Sequence, residues 1–110
     1  MKWFNFNKEQ SKFVNDGRIS QIVLPLNDET MNIRGGQKFR IFFDGILFND
    51  KLAYVEGLKK TNLSKLTSKD IRKNGFEYKP FFVEHYAEKG ISEEDSVVAV
   101  DFSLVYRADD

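Results

Sequence analysis

The chain contains no cysteine in its 110 residues. Disulfides, thiolate metal sites and thiol redox chemistry are therefore excluded, and the composition suits a reducing compartment. Histidine is almost absent as well, since His85 stands alone. A Ser-His-Asp relay could use only that residue, and a metal site would have to rest mainly on carboxylates. We expect neither a metal nor a cofactor.

Long apolar segments are also missing. The first six residues run into Asn and Lys too soon for a signal peptide. The longest apolar runs, at residues 22–26 and 97–100, fall far short of the roughly 20 residues that a membrane helix needs. These absences predict a soluble, cytoplasmic protein with no membrane partner.

Length and composition predict a single domain over residues 1–110. A chain of this size has room for one core, and a hydrophobic content of 41% with eleven Phe is sufficient to build it. No repeat, low-complexity tract or linker interrupts the sequence.

The net charge of zero conceals an uneven distribution. Residues 34–79 carry eleven Lys or Arg and five Asp or Glu, a net charge of +6. Residues 80–110 carry two against eight, a net charge of −6. Either the two segments pair as ordinary surface charges, or the basic one forms an anion-binding face.

Capping patterns predict two helices. Asn7 and Gln10 have the spacing of a capping box, which predicts a helix at about residues 8–16, ended by Gly17. Thr67 and Asp70 form a second capping box and a glycine stop follows at residue 75, which predicts a short helix at about residues 68–74.

A third helix is indicated by aromatic side chains at helical spacing. They form a stripe that we expect to face an apolar surface, before Gly90 ends the helix: Tyr78, Phe81, Phe82, His85 and Tyr86.

Residues 19–26, 37–43, 52–58 and 97–106 are predicted to be strands because they are rich in β-branched or alternating apolar residues. Helices and strands do not alternate as in a parallel α/β sheet. The order therefore predicts an α+β fold, a small, curled, partly closed and mostly antiparallel barrel with about three flanking helices.

Several features follow one another along the chain: Gly17 after the first helix, a glycine turn into a strand at residues 36–40, the stretch 63–70, Gly75 with Phe76, the aromatic helix and the strand from residue 97. Their order resembles the ASCH family, a branch of the PUA-like barrels, over nearly the whole chain. The resemblance implies recognition of RNA or modified nucleosides. Some members are amidohydrolases that deacylate acetylated cytidine.

The sequence departs from that family at the catalytic positions. The enzymes carry the segment G-x-K-T-x-T-x-R after the first helix and a Glu near the end of the second. Aligned from Gly17, this chain has Ile19, Ser20, Ile22 and Leu24 in the segment, and Asn74 in place of the Glu. Because apolar side chains cannot transfer protons, we expect no catalytic residues and a site that binds without turnover.

Two sets of binding residues are predicted. The first would line a cleft between barrel and helices, where a guanidinium could hold a phosphate or carbonyl: Arg18, Ser20, Asn74 and His85. The second belongs to the basic segment, with Phe42, Phe48 and Tyr54 interspersed for base stacking: Arg34, Lys38, Arg40, Lys59 and Lys60.

The favoured function is a non-catalytic PUA-like module for RNA or a nucleotide-like ligand. An amidohydrolase acting on a modified nucleoside remains open, and it would require a Lys, Thr or Glu side chain that converges on Ser20. A protein-interaction or inhibitor module would show exposed aromatics without a basic cleft. A regulatory subunit that uses the acidic tail is the last alternative.

Overall fold

This computed structural model describes residues 3–107 of the chain. They contain six strands and three α-helices. In chain order they are β1 (Trp3–Phe6), α1 (Ser11–Asn15), β2 (Gln21–Pro25), β3 (Lys38–Phe43), β4 (Ile46–Leu47), β5 (Lys51–Asn62), α2 (Ser68–Lys73), α3 (Lys79–Glu88) and β6 (Ser96–Tyr106). Short 3-10 turns, Lys8–Gln10 and Leu63–Lys65, precede α1 and α2.

The strands form one sheet in the order β1-β3-β5-β6-β2, and β4 pairs with the end of β3. Every pairing is antiparallel except that of β1 with β3. The α+β class, the mostly antiparallel sheet and the three helices are confirmed. The sheet is open, because β1 and β2 lie at opposite ends of the strand order.

The two faces of the long strand β6 pack in two separate cores. Residues Val97 to Val100 of β6 are buried on both faces. One face packs in the barrel core: Phe4, Phe6, Val14, Ile19, Ile22, Leu24, Ile33, Phe39, Ile41, Ala53, Val55, Val98, Val100 and Phe102. The other packs in the helix core: Val23, Leu63, Leu66, Ile71, Phe82, Tyr86, Ile91, Val97 and Ala99.

Helix α2 begins and ends as its sequence predicts. The backbone N–H of Asp70 donates to Thr67 Oγ1 at 3.2 Å, and the backbone N–H of Thr67 donates to Asp70 Oδ2 at 2.9 Å. At the other end, Gly75 has φ +88° and the N–H of Phe76 donates to the carbonyl of Ile71 at 3.1 Å. These are the bonds of a capping box and a Schellman motif.

The predicted first helix is shorter than expected and β1 was not predicted. Gln10 Oε1 accepts from the backbone N–H of Asn7 at 2.8 Å, but the first turn is 3-10 and the α-helix spans only Ser11–Asn15. In β1, Trp3 and Asn5 are exposed while Phe4 and Phe6 are buried. Four alternating residues are too few to identify a strand whose partner, β3, lies more than 30 residues away along the chain.

The prediction that the whole aromatic stripe of α3 faces an apolar surface was wrong. Phe82 and Tyr86, one helical turn apart, are buried in the helix core. Tyr78 and Phe81 are 63% and 60% exposed, with their rings 6.2 Å apart. The helix begins at Lys79, so Tyr78 precedes it, and Phe81 is exposed although the next residue, Phe82, is fully buried.

The capping box at α2 generates a stability prediction. Thr67→Ala should lower the free energy of unfolding by about 1 kcal/mol, because the Asp70 N–H loses its side-chain acceptor. Urea denaturation followed by circular dichroism measures this. Ser68→Ala, a change at the neighbouring exposed position, serves as the control. An unchanged midpoint for Thr67→Ala would mean that the cap does not stabilise the helix.

Candidate functional site

A buried hydrogen-bond network joins β2 to α2, α3 and β6, in the region where the sequence placed a ligand cleft. Its centre is Gln21, which is 1% exposed in a strand whose next three residues are apolar and buried. Gln21 Nε2 donates to Asp70 Oδ1 at 3.0 Å and to Asp101 Oδ1 at 2.9 Å. Gln21 Oε1 accepts from Asn74 Nδ2 at 2.7 Å. The whole carboxamide is therefore used internally.

The network continues through Asn74 to α3. Tyr86 donates its hydroxyl hydrogen to Asn74 Oδ1 at 2.7 Å and accepts from the backbone N–H of Val23 at 3.3 Å. Burial raises the pKa of Tyr86, although the hydrogen bond from Val23 acts in the opposite direction. The phenol therefore stays protonated and remains a donor to Asn74.

Two lysines neutralise the two carboxylates of the network. Lys59 Nζ lies 2.8 Å from Asp70 Oδ2, and Lys73 Nζ lies 3.1 Å from Asp101 Oδ2. Burial alone would raise the pKa of Asp70, but hydrogen bonds from Lys59, Thr67 and Gln21 outweigh it and hold that pKa far below its usual range. Asp70 is therefore a permanently charged structural anchor rather than a proton carrier at neutral pH.

The cavity beside this network is small. It encloses about 140 Å³ and is lined in part by Gln10, Gln21, Asn74, Tyr86 and Lys89. Pockets for drug-sized ligands have volumes of roughly 300–1,000 Å³. Among residues 3–107, every buried side-chain nitrogen and oxygen already has a hydrogen-bond partner. The cavity is therefore too small for a nucleoside, and its buried polar side chains are already paired within the protein.

The four predicted cleft residues do not line one cavity. Asn74 is buried in the network, whereas Arg18 lies on the surface, where it pairs with Asp16 at 3.3 Å and lies 5.5 Å from the centre of the Phe13 ring. Ser20 takes part through its backbone, which bonds to Lys73 and Phe102. None of the residues lining the cavity is Arg18, Ser20 or His85.

His85 packs among aromatic rings, half-buried on α3. Its ring centre lies 5.2 Å from that of Phe76 and 4.9 Å from that of Tyr86. Burial and the nearby charge of Lys89 lower the pKa of His85 below its ordinary value. The imidazole is therefore neutral at pH 7.

The predicted nucleic-acid-binding residues are also separated. Lys59 and Lys60 are neighbours in β5, so their side chains project from opposite faces of the sheet. Lys59 is held by Asp70, and Lys60 Nζ lies 3.4 Å from the carbonyl of Met31. Arg34 lies in the exposed turn before β3.

Lys38 and Arg40 lie together on what we call the outer sheet face, the side of β1, β3 and β5 that points away from the barrel core. Strand pairing puts Trp3 beside Arg40, and Tyr54 beside Lys38. The ion pairs among residues 3–107 involve neither of these two cations. The members of the outer sheet face are Trp3, Asn5, Lys38, Arg40, Phe42, Leu52, Tyr54 and Glu56. The carboxylate of Glu56 accepts a hydrogen bond from Ser103 Oγ at 2.7 Å.

Sequence reasoning missed Trp3 and Asn5 as functional candidates because it missed β1. The alternation of exposed and buried residues in Trp3–Phe6 is the one signal that could have revealed them. The sequence identifies Phe42 and Tyr54 only as aromatics within the basic segment. The pairing of β1 with β3 is what places them on one surface with Trp3.

Other sites have little support in the described part of the chain. Residues 3–107 hold no group of three or more His, Asp or Glu side chains arranged to bind a metal. The helices in that range are too short or too polar to cross a bilayer. A surface depression of about 530 Å³ is lined by Asp28 and Glu29 as well as Lys38, so an anionic ligand inside it would meet two carboxylates beside that lysine.

Two solved structures share this architecture. One is a protein from Enterococcus faecalis V583 described by the family model DUF984, with 16% identity, a TM-score of 0.63, and coverage of 91% of this chain and 71% of that one. The other is an ASCH domain from Lactobacillus crispatus JV V101, with 15% identity, a TM-score of 0.62, and coverage of 96% and 79%. No protein-family profile and no curated protein matches the sequence. The structural similarities show an ASCH-like fold, as the sequence predicts.

The charge state of Asp70 generates a pH prediction. A carboxylate whose pKa is lowered by folding stabilises the protein above about pH 4, and that stabilisation is lost as the pH falls further. Asp70→Asn should reduce the free energy of unfolding by about 2 kcal/mol at pH 7, because it removes a buried charged partner. The difference from the parent protein should shrink between pH 5 and pH 3.

Urea unfolding at a series of pH values measures this difference. Asp28→Asn, a change to an exposed carboxylate, is the matched control and should leave the pH dependence unaltered. A parent-to-variant difference that stays constant down to pH 3 would contradict the role of Asp70.

Proposed function

We propose that the protein is a non-catalytic binding module for RNA or a nucleotide-like ligand, and that it binds through the outer sheet face. The observation that carries the proposal is the placement of Lys38 and Arg40, two exposed cations without an ion-pair partner in the described chain, between the aromatic side chains of β1 and β5. Cations that neutralise phosphates and rings that stack on bases are the two elements of single-strand binding surfaces.

The remaining predicted cations are less suited to this role. Lys59 would have to leave a buried carboxylate in order to meet a phosphate, and Asp70 would then lose a partner that contributes to its low pKa. Arg34 is exposed four residues before Lys38 and could extend the same basic surface. The proposal therefore assigns phosphate contacts to Lys38 and Arg40 first and to Arg34 second.

The chemistry of the network supports a binding role without catalysis. Hydrolysis of an amide requires a base and either a nucleophile or an activated water. Gln21 and Asn74 are neutral carboxamides, and the carboxylates of Asp70 and Asp101 each accept a hydrogen bond from a lysine. The hydrogen bonds of Ser20 run through its backbone to Lys73 and Phe102. The geometry therefore favours binding over an amidohydrolase.

Salt dependence tests the proposed function. Each phosphate contact with a single strand contributes about −0.7 to the slope of log affinity against log salt. Two to four contacts are expected from a surface with so few cations. Replacing Lys38 and Arg40 together by Ala should weaken binding of a labelled oligoribonucleotide and make the slope less steep by about 1.4. Fluorescence anisotropy at several salt concentrations measures both quantities.

The matched control removes two positive charges elsewhere. Lys65 and Lys69 are exposed in the segment around α2, and their double replacement by Ala should change the slope far less. No binding to RNA at low salt, or binding that responds equally to both double variants, would contradict the assignment of the outer sheet face.

A further inference from the structure

We infer that the outer sheet face binds single-stranded RNA by stacking a base on Trp3, with the adjacent phosphate held by Arg40. This inference rests on the proposed function and adds the strand state of the ligand and the contact that determines it. Trp3 is 51% exposed although it lies in a strand whose neighbouring residue, Phe4, is fully buried. A large apolar ring is thus held in solvent by a strand anchored in the core.

Phe42 fixes the position of the indole. Its ring centre lies 6.2 Å from that of Trp3, and the two planes are inclined at 71°, an edge-to-face contact. Such a contact supports one part of the indole and leaves the remainder accessible, which agrees with the half-exposure of Trp3. A ring that is already oriented loses little conformational freedom when a base stacks on it.

A depression of about 380 Å³ adjoins this ring pair, with Trp3, Asn5, Phe42 and Gly45 around it. Its volume lies within the range of small-molecule sites, unlike that of the cavity beside Gln21. Gly45 has no side chain, and a Cβ atom built there would meet nothing within 4 Å, so the rim is open at that point. Asn5 Oδ1 accepts from the N–H of Gly45 at 3.4 Å, which places a carboxamide where it can meet the edge of a stacked base.

Charge completes the site. Arg40 is paired in register with Trp3, so the guanidinium and the indole project from neighbouring strands on the same side of the sheet. Lys38 precedes Arg40 by two residues on β3, which separates the two residues by about 7 Å along the strand. Beside Lys38 lies Tyr54, a second ring on the next strand. The surface therefore presents aromatic and cationic groups in alternation, as a flexible anionic chain with unpaired bases requires.

The same features disfavour a duplex. Bases within an RNA double helix are stacked on one another and cannot stack on a protein side chain without being extruded. A duplex would therefore meet this surface only through its phosphates, with few cations available to bind them. Single strands should bind more tightly than duplexes of the same length.

Trp3 is the only tryptophan in the chain, so its fluorescence reports directly on this contact. We expect a single-stranded RNA of about eight nucleotides, a length within the usual site sizes, to quench the intrinsic fluorescence on binding, and the corresponding duplex to cause little change. In anisotropy measurements with the labelled single strand, Trp3→Ala should weaken binding by about tenfold. Trp3→Phe, which keeps an aromatic ring, should retain most of the affinity.

Phe81→Ala is the control, because Phe81 is similarly exposed but lies on α3. The Phe81→Ala variant should bind the single-stranded RNA with the affinity of the parent protein. Single-stranded RNA that binds without altering Trp3 fluorescence, and equally well to Trp3→Ala, would overturn the stacking inference while leaving the proposed function intact. Equal affinity for single strand and duplex would overturn it too. The absence of binding to any RNA at low salt would overturn both.

Self-association through the edge strand β1 is a separate outcome that the same samples reveal. If the fluorescence of Trp3 changes with protein concentration in the absence of RNA, and sedimentation shows a dimer that Trp3→Ala abolishes, the surface binds a second copy of the chain and the inference is wrong. A monomer at all concentrations, with quenching only by single-stranded RNA, is the expected result.

Discussion

The carboxamide of Gln21 is the group on which the arrangement of helices around the sheet depends. It lies in an apolar strand, where an unpaired polar group would cost about 1–3 kcal/mol. Its side-chain partners lie on α2, on Asn74 directly after α2, and on β6. Asp70, Asp101 and Asn74 must therefore stay where they are, and Asn74 in turn fixes Tyr86 on α3. The interior between sheet and helices is consequently filled by groups that satisfy one another, and a small cavity is all that remains beside them.

This constraint also explains how the charges are distributed. The basic middle of the sequence and its acidic end meet at the pair of Lys73 with Asp101, so part of the uneven charge cancels within the fold. Lys59 is engaged by Asp70 in the same way. Strand pairing puts Lys38 on the same side of the sheet as Asp101, because Tyr54 is paired with both Lys38 and Ser103. The ion pairs among residues 3–107 nevertheless involve neither Lys38 nor Arg40. The proposal that the outer sheet face binds an anion therefore rests on Lys38 and Arg40, because Lys59 and Lys73 are paired with carboxylates of the network.

Local signals explain which parts of the structure the sequence could predict. Both ends of α2 follow from residues within five positions of one another, Thr67 with Asp70 and Ile71 with Gly75 and Phe76, and the sequence predicts both. The role of Gln21 could not be, because its partners lie 49, 53 and 80 residues away along the chain. The same holds for Trp3, whose neighbour Arg40 follows from a parallel pairing that no local pattern encodes. In α3, helical spacing predicts the helix, but only the packing of the chain decides that Phe82 is buried and Phe81 exposed.

Nuclear magnetic resonance of the ¹⁵N-labelled protein tests the central claim most directly, because it observes the closed network and the outer sheet face in a single titration. Addition of a single-stranded RNA of about eight nucleotides should shift the indole N–H of Trp3 and the backbone amides of β1 and β3. The side-chain amide signals of Gln21 and Asn74 should stay in place, since their hydrogens are already donated within the protein. Shifts concentrated at Gln21, Asn74 and Tyr86, with Trp3 unaffected, would show that the ligand enters between sheet and helices and would contradict this account.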